Sequence, residues 1–127
     1  MSVTATLNGS IFLTDSVSNT IQMQKAFVAL AFTGTVSELS QSQSVGTSPT
    51  TLTLPASPTQ FLYIKNLAPT NTLTVTWTPN GGASNPVITL QPGSSIIFME
   101  VATGGGITAL SVTASGASTP IEYMLLG

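Results

Sequence analysis

The chain is 127 residues long, 42% hydrophobic and 5% charged, with two lysines, no arginine, four acids and a formal net charge of −2. So little positive charge cannot neutralise several phosphates, which argues against nucleic-acid binding and against attraction to an anionic membrane surface. The lack of His and Cys removes zinc fingers, imidazole acid–base chemistry, thiol nucleophiles and any disulfide framework.

One domain is expected at this length, and high hydrophobicity with low net charge is the opposite of the balance that keeps chains disordered. Charged residues are far below the roughly 25% of an average globular protein. The surface is therefore covered largely by hydroxyl and amide side chains, drawn from 16 Ser and 21 Thr together with Asn and Gln. Such a surface gives little colloidal repulsion and suits a protein that lives inside an assembly. An ordinary extracellular module of low charge is the alternative. The longest apolar run, Ala26 to Phe32, is seven residues, against about 20 for a membrane-spanning helix. The N-terminal MSVTATLNGS lacks a basic start followed by an apolar stretch, so no secretory signal is readable, and a mature chain and one made in the cytoplasm are both open. Asn8-Gly9-Ser10 reads as a turn rather than a glycosylation site.

In chain order, Val3 to Leu7 alternates as a strand and Ser10 to Leu13 is a short apolar run. Ile21 to Phe32 is ambiguous: Ile21 and Met23 alternate with glutamines, which favours a strand, while a helix through Gln24 to Ala31 is the alternative. Ile21, Met23, Phe27, Leu30 and Phe32 are candidate interface residues. The polar segment SELSQSQSVGTSP, 37–49, reads as a linker. The expected organisation is an extended N-terminal arm over 1–44, partly strand, and a compact antiparallel β-domain over 45–127. An arm of this kind is suited to pairing with a neighbouring subunit.

From Ser48 onward, short β-branched and aromatic runs alternate with Pro, Gly, Asn and Ser clusters at the spacing of an antiparallel β-sandwich or barrel of jelly-roll or immunoglobulin-like style. Strands are expected at Thr51 to Leu54, Gln60 to Leu67, Thr72 to Thr78, Val87 to Leu90, Ser95 to Val101, Ile107 to Ala114 and Ile121 to Leu126. In Gln60 to Leu67, Phe61 and Tyr63 fall on one face and Leu62 and Ile64 on the other, as in a central or interface strand. TLTVTWT puts Leu73, Val75 and Trp77 in a core and the threonines on a wet face. Tyr63, Phe98, Leu110 and Val112 complete the expected core. Gln91-Pro92-Gly93-Ser94 implies a hairpin, and Gly104-Gly105-Gly106 reads as a hairpin loop rather than a phosphate cradle, having no Lys-Ser/Thr pair after it.

Little chemistry is available. A glycosidase needs two carboxylates about 5–10 Å apart, and Glu100 and Glu122 are the candidates; the alternative is a pair of solvent-facing charges that keep a sheet soluble. No loop holds two acids, so no hard-cation site is expected. Sugar recognition would draw on Trp77, Tyr63, Tyr123 and Phe61 beside Asn66, Asn71 and Asn80, but the phase of Trp77 makes it a core residue first. Lys65 reads as a snorkelling surface charge able to reach Glu100 or Glu122. No catalytic residue, metal or cofactor is expected, and the chain reads as a non-enzyme.

The phrases YIKNLAPTNTLTVTWTPNGG, ITLQPGSSIIFMEV, GGGITALSV and TPIEYMLLG, in that order, resemble the small all-β virion proteins of tailed bacteriophages over roughly Ser48 to Gly127. The resemblance implies a β-sandwich or barrel, often a homotrimer, that contributes contact surface rather than catalysis. It implies a virion location after synthesis in the host cytoplasm, with the major capsid protein or other virion subunits as partners. The expected role is a capsid cement or decoration protein bridging major capsid subunits. A tail, baseplate or fibre component is the alternative, and a carbohydrate-binding module a more distant one.

Overall fold

The computed structural model describes residues 2–14, 21–35, 38–55, 58–100 and 105–127, with side-chain surroundings from residue 42 onward. All described secondary structure is strand: β1 (Ser2–Thr14), β2 (Ile21–Thr35), β3 (Glu38–Val45), β4 (Thr50–Thr51), β5 (Phe61–Asn66), β6 (Leu73–Pro79), β7 (Val87–Leu90), β8 (Ser95–Met99), β9 (Ile107–Ala114) and β10 (Thr119–Leu126). β1 and β2 form a two-stranded antiparallel ribbon. The other eight strands form two four-stranded sheets, ordered β3-β10-β5-β8 and β4-β9-β6-β7. Every pairing within them is antiparallel. Eight strands divided this way make a jelly-roll sandwich. The sheets are not closed into a barrel.

The core follows the period of two. Leu62, Ile64 and Asn66 of β5, Ile121, Tyr123 and Leu125 of β10, and Val45 of β3 are buried on the inner face of the first sheet. Leu73 and Val75 of β6, Leu90 of β7, and Leu110, Val112 and Ala114 of β9 answer them from the second. Ile107 is also buried, although it lies out of phase with Leu110. A register shift between Thr78 and Pro79 inserts an extra residue into β9, and such a bulge lets both apolar side chains turn inward.

Three sequence expectations need correction. The segment 37–49 is not a linker: β3 occupies most of it and pairs with β10 from Leu126↔Glu38 to Thr119↔Val45. Polar residues suffice there because β3 is an edge strand, with one neighbour and one half-wet face. The expected boundary between 44 and 45 therefore falls inside a strand. Gln91–Ser94 does not close a hairpin either, since β7 belongs to the second sheet and β8 to the first. Ser94 N–H donates to Gln91 O at 3.0 Å, Pro92 takes the first central position and Gly93 has φ +76°, the pattern of a type II turn. That turn is pinned to β5, because Asn66 N–H donates to Ser94 O and Gly93 N–H to Asn66 O. β8 and β9 likewise belong to different sheets, so no hairpin joins them; Gly104 of the expected loop lies outside the described residues. Gly106 has φ +105°, and a Cβ there would lie 2.6 Å from the Thr59 carbonyl oxygen.

Residues 21–35 are strand rather than helix. Ile21, Met23, Phe27, Leu30 and Phe32 sit in this strand, and their side chains lie outside the described residues.

Asn66 is the polar pin of the core. It is fully buried, and its Nδ2 donates to the carbonyls of Asn71 at 2.8 Å, Leu90 at 3.2 Å and Gln91 at 3.3 Å. Its Oδ1 accepts from Ala68 N–H at 3.0 Å. One amide thus joins β5 to the loop that follows it and to the end of β7. Asn71 extends the network, donating through Nδ2 to Thr119 Oγ1 at 2.9 Å.

Candidate functional site

The site residues expected from sequence separate into three places. Leu73, Val75, Leu110 and Val112 are buried between the sheets. Trp77 and Phe98 are partly buried and pack against the core cluster from its margin. Tyr63 is not a core residue: in β5 the buried positions are Leu62, Ile64 and Asn66, and Phe61, Tyr63 and Lys65 alternate with them on the outer face. Tyr123, two strands' worth of chemistry alike but in the opposite phase of β10, is buried at 4% exposure. The reason is register. Tyr63 pairs with Met124 and Tyr123 with Ile64, so the two tyrosines sit on opposite faces of one sheet.

On the outer face, Tyr63 Oη donates to Glu122 Oε1 at 2.8 Å. These residues line a shallow open hollow of about 210 Å³ with Tyr123 and Met124. Burial pushes the Tyr63 hydroxyl above its ordinary pKa, and the bond to Glu122 and the carboxylate's negative charge push it further. Burial alone raises Tyr123. The hydroxyl is thus held protonated as a donor, and the arrangement offers a hydrogen-bonding rim rather than an activated nucleophile.

The carboxylate pair expected for glycoside chemistry is drawn apart by the strands. Glu122 is paired with Lys65 at one end of β5. Glu100 lies just beyond β8, where its N–H donates to Gln60 O at the other end. The backbones of Gln60 and Lys65 are about 16 Å apart at the rise of an extended strand, so the two acids stand on backbone positions at opposite ends of β5. Among the described residues no group of three or more acids gathers in metal-binding geometry.

Of the rings weighed for a sugar platform, Tyr123 is buried, Phe61 and Tyr63 lie partly exposed on the outer face of the first sheet, and Trp77 is engaged in the core margin. Trp77 packs on Phe98 across the sheets, with ring centroids 6.2 Å apart and planes at 48°. On the outer face of the second sheet, Thr51, Thr76, Thr78, Asn85 and Ser111 help to line a smaller hollow of about 120 Å³, rich in hydroxyls and without an exposed ring. The reading of Gln60 to Leu67 as a central or interface strand pointed to the outer face of the first sheet, but the sequence placed Tyr63 in the core instead of on that face. The signal was present in FLYIKN, whose large residues occupy both phases.

No family model matches the chain, and no curated protein matches it. The structure is similar to a solved chain described by the words "Bacillus endospore appendages form a novel family of disulfide-linked pili", with a TM-score of 0.51 and 12% identity, covering 72% of this chain and 83% of that one. At this identity the likeness is one of fold.

Proposed function

We propose that this protein is a non-enzymatic structural subunit that works by passive contact with other subunits, and that its assembly is a bacteriophage virion in which it decorates and cements the capsid. The observation that carries the reading is the outer face of the first sheet. There Phe61, Tyr63, Ile97, Met99 and Met124 form a partly exposed, largely apolar surface on a sandwich that already has its own core. Apolar surface outside a completed core is the material of an interface. The jelly roll is a recurrent fold of viral capsid proteins, which agrees with the resemblance of the sequence to small virion proteins; fold alone does not assign the role. Burial of about 1,200–2,000 Å² per contact would give specific attachment, and repetition over a shell would add avidity.

A second reading, a filament or tail subunit, is favoured by the likeness of fold to a pilus protein. The 127 residues contain no cysteine, so in that reading these segments are not joined to one another by disulfides.

Electron microscopy of intact particles carrying a labelled copy of the chain tests both. Label at symmetric positions of the capsid lattice is the expected result. Label along the tail replaces the cement role with the tail role, and particles that never carry the label overturn the virion reading.

A further inference from the structure

We infer that β8 is a pairing edge for β8 of a second copy of this chain, the two strands running antiparallel about a two-fold axis at Ile97, so that the sandwiches of two subunits continue into one another. This rests on the reading of the chain as a subunit that works by contact, and deepens it by naming one contact and its partner.

The ladder between β5 and β8 fixes which backbone groups of β8 are spare. Glu100 N–H donates to Gln60 O and Asn66 N–H to Ser94 O, both at 2.9 Å. Between these ends the partners run from Phe61↔Met99 to Lys65↔Ser95 without a shift. Antiparallel strands exchange bonds at every second pair, so Ile96 and Phe98 turn their N–H and C=O toward β5. Those of Ser95, Ile97 and Met99 point the other way, where no strand among the described residues pairs with them.

The edges of the sandwich are protected unequally. β3 (ELSQSQSV) is polar and holds an acid, β4 has two residues, and β7 (VITL) has four. β8 (SIIFM) has five residues with no charge, no proline and no bulge, the devices by which edges are kept from pairing. Exposed apolar bulk gathers on this flank. Of the large exposed hydrophobic residues among those described, Val87 of β7 is 61% exposed and Ile97 of β8 47%.

The occupant follows from β7 and β8 sharing that flank. Trp77 of β6 meets Phe98 of β8, and Ala114 N–H at the end of β9 donates to the Gly46 carbonyl just after β3, so the two sheets stack with their strand orders running the same way. β7 repeats the pattern of β8: Trp77 N–H donates to Pro86 O, which turns the backbone groups of Val87 and Thr89 outward. A lone foreign strand can pair with one of these edges. A second sandwich with the same flank faces both, and about a two-fold axis normal to the sheets each edge meets its own antiparallel copy.

β8 is also complementary to itself. With Ile97 opposite Ile97, Ser95 falls opposite Met99, and each of these residues exchanges both backbone bonds with its counterpart. Ile96 falls opposite Phe98 on the inner side, where both are partly buried against the core and would close over one another. Charge does not oppose the pairing. Lys65 stands beside Ser95 one strand further in, and Glu100 falls opposite Ser94, which keeps the two copies of Glu100 about 20 Å apart at the rise of a strand.

The test uses the full chain alone. Sedimentation at micromolar concentration is expected to show dimers for wild type. Ile97→Pro removes the outward N–H that the two-fold axis uses twice, and proline is tolerated on an edge whose N–H faces solvent. Association is expected to weaken by about 30-fold or more with an unchanged circular dichroism spectrum. Ile97→Lys sets two lysines against each other at the axis and should do the same. Met124→Lys, on the outer face of the sheet but away from the edge, should leave the dimer intact. Ile97→Cys reads the register: the chain has no cysteine of its own, and bonded antiparallel partners stand about 5.5 Å apart at Cα, within disulfide reach. Mild oxidation should link Ile97→Cys into dimers on a non-reducing gel and leave Thr113→Cys, on the outer face of the other sheet, unlinked. A wild-type monomer or trimer, association that survives both Ile97→Pro and Ile97→Lys, or an associating Ile97→Cys chain that oxidation does not link overturns the proposal; the last result gives the edge to a different strand. Loss of the dimer on Met124→Lys also overturns it, because the face of the sheet is then the contact. Should Ile97→Pro fail to fold, Ile97→Lys carries the comparison. None of these measurements involves a particle, so failure here is separate from failure of the virion reading.

Discussion

Trp77 of β6 and Phe98 of β8 meet across the two sheets with their ring centroids 6.2 Å apart at 48°. Their strands belong to different sheets, so this is a contact between layers, made at the margin of the core where both rings are partly buried.

Replacing either ring with alanine is expected to cost about 2–4 kcal/mol, below the upper end for fully buried aromatics because both rings keep some exposure. Tilted pairs at this spacing add about 0.5–1.5 kcal/mol beyond area, so Trp77→Ala and Phe98→Ala should be non-additive by that amount in a double-mutant cycle followed by urea denaturation. Strict additivity would show that the rings pack independently.

Asn66→Leu should destabilise by about 3 kcal/mol or more, because it strips partners from three carbonyls and one N–H held near the end of the sandwich, and unpartnered buried groups cost about 1–3 kcal/mol each. Asn66→Asp keeps an acceptor for Ala68 N–H but turns oxygen toward the carbonyls of Asn71, Leu90 and Gln91. At neutral pH it should melt no higher than the leucine variant; a melting temperature equal to wild type would remove Asn66 from its place as the pin.

Gln43 of β3 carries a buried Nε2 without a hydrogen-bond partner among the described residues. Its Cα partner is Ile121, which is fully buried. Gln43→Met retains the length and removes the orphan donor, and a gain of about 1 kcal/mol is expected from the desolvation cost relieved. Loss of stability on chemical denaturation would contradict this.

Tyr63 and Tyr123 both have raised pKa values in the folded chain, against about 10 when unfolded. Ionisation is therefore easier in the unfolded chain. Their stabilisation is complete below about pH 10 and is lost as pH rises through that value toward the folded pKa values. Tyr63→Phe should make the urea midpoint fall less steeply above pH 10 than in wild type, and parallel falls would assign the loss to other groups.

Much of the sandwich was legible in the chain because strand character is local. The alternation of Leu73, Val75 and Trp77 with threonines, and the Pro and Gly clusters between runs, mark β6 and its neighbours without reference to anything distant. Tyr63 was misplaced because FLYIKN is large in both phases, and periodicity cannot choose an inner face when both faces are apolar. β3 was missed for the reverse reason: ELSQSQSV has almost no apolar residue to announce it, and its pairing to β10, more than 70 residues later in the chain, is visible only when the sheet is assembled.

The amino-acid sequence by itself determined that this protein is built of strands, that it has almost no ionisable groups, and that its core draws on alternating apolar residues. These follow from residue types and their spacing. Only the tertiary structure decided which strands share a sheet, that the turn at Gln91–Ser94 crosses between layers, that Glu100 and Glu122 stand at opposite ends of β5, and that Tyr63 faces outward to Glu122. Register and layer are set by pairing between residues far apart in the chain, and a one-residue difference in phase carries a side chain from the core to the surface.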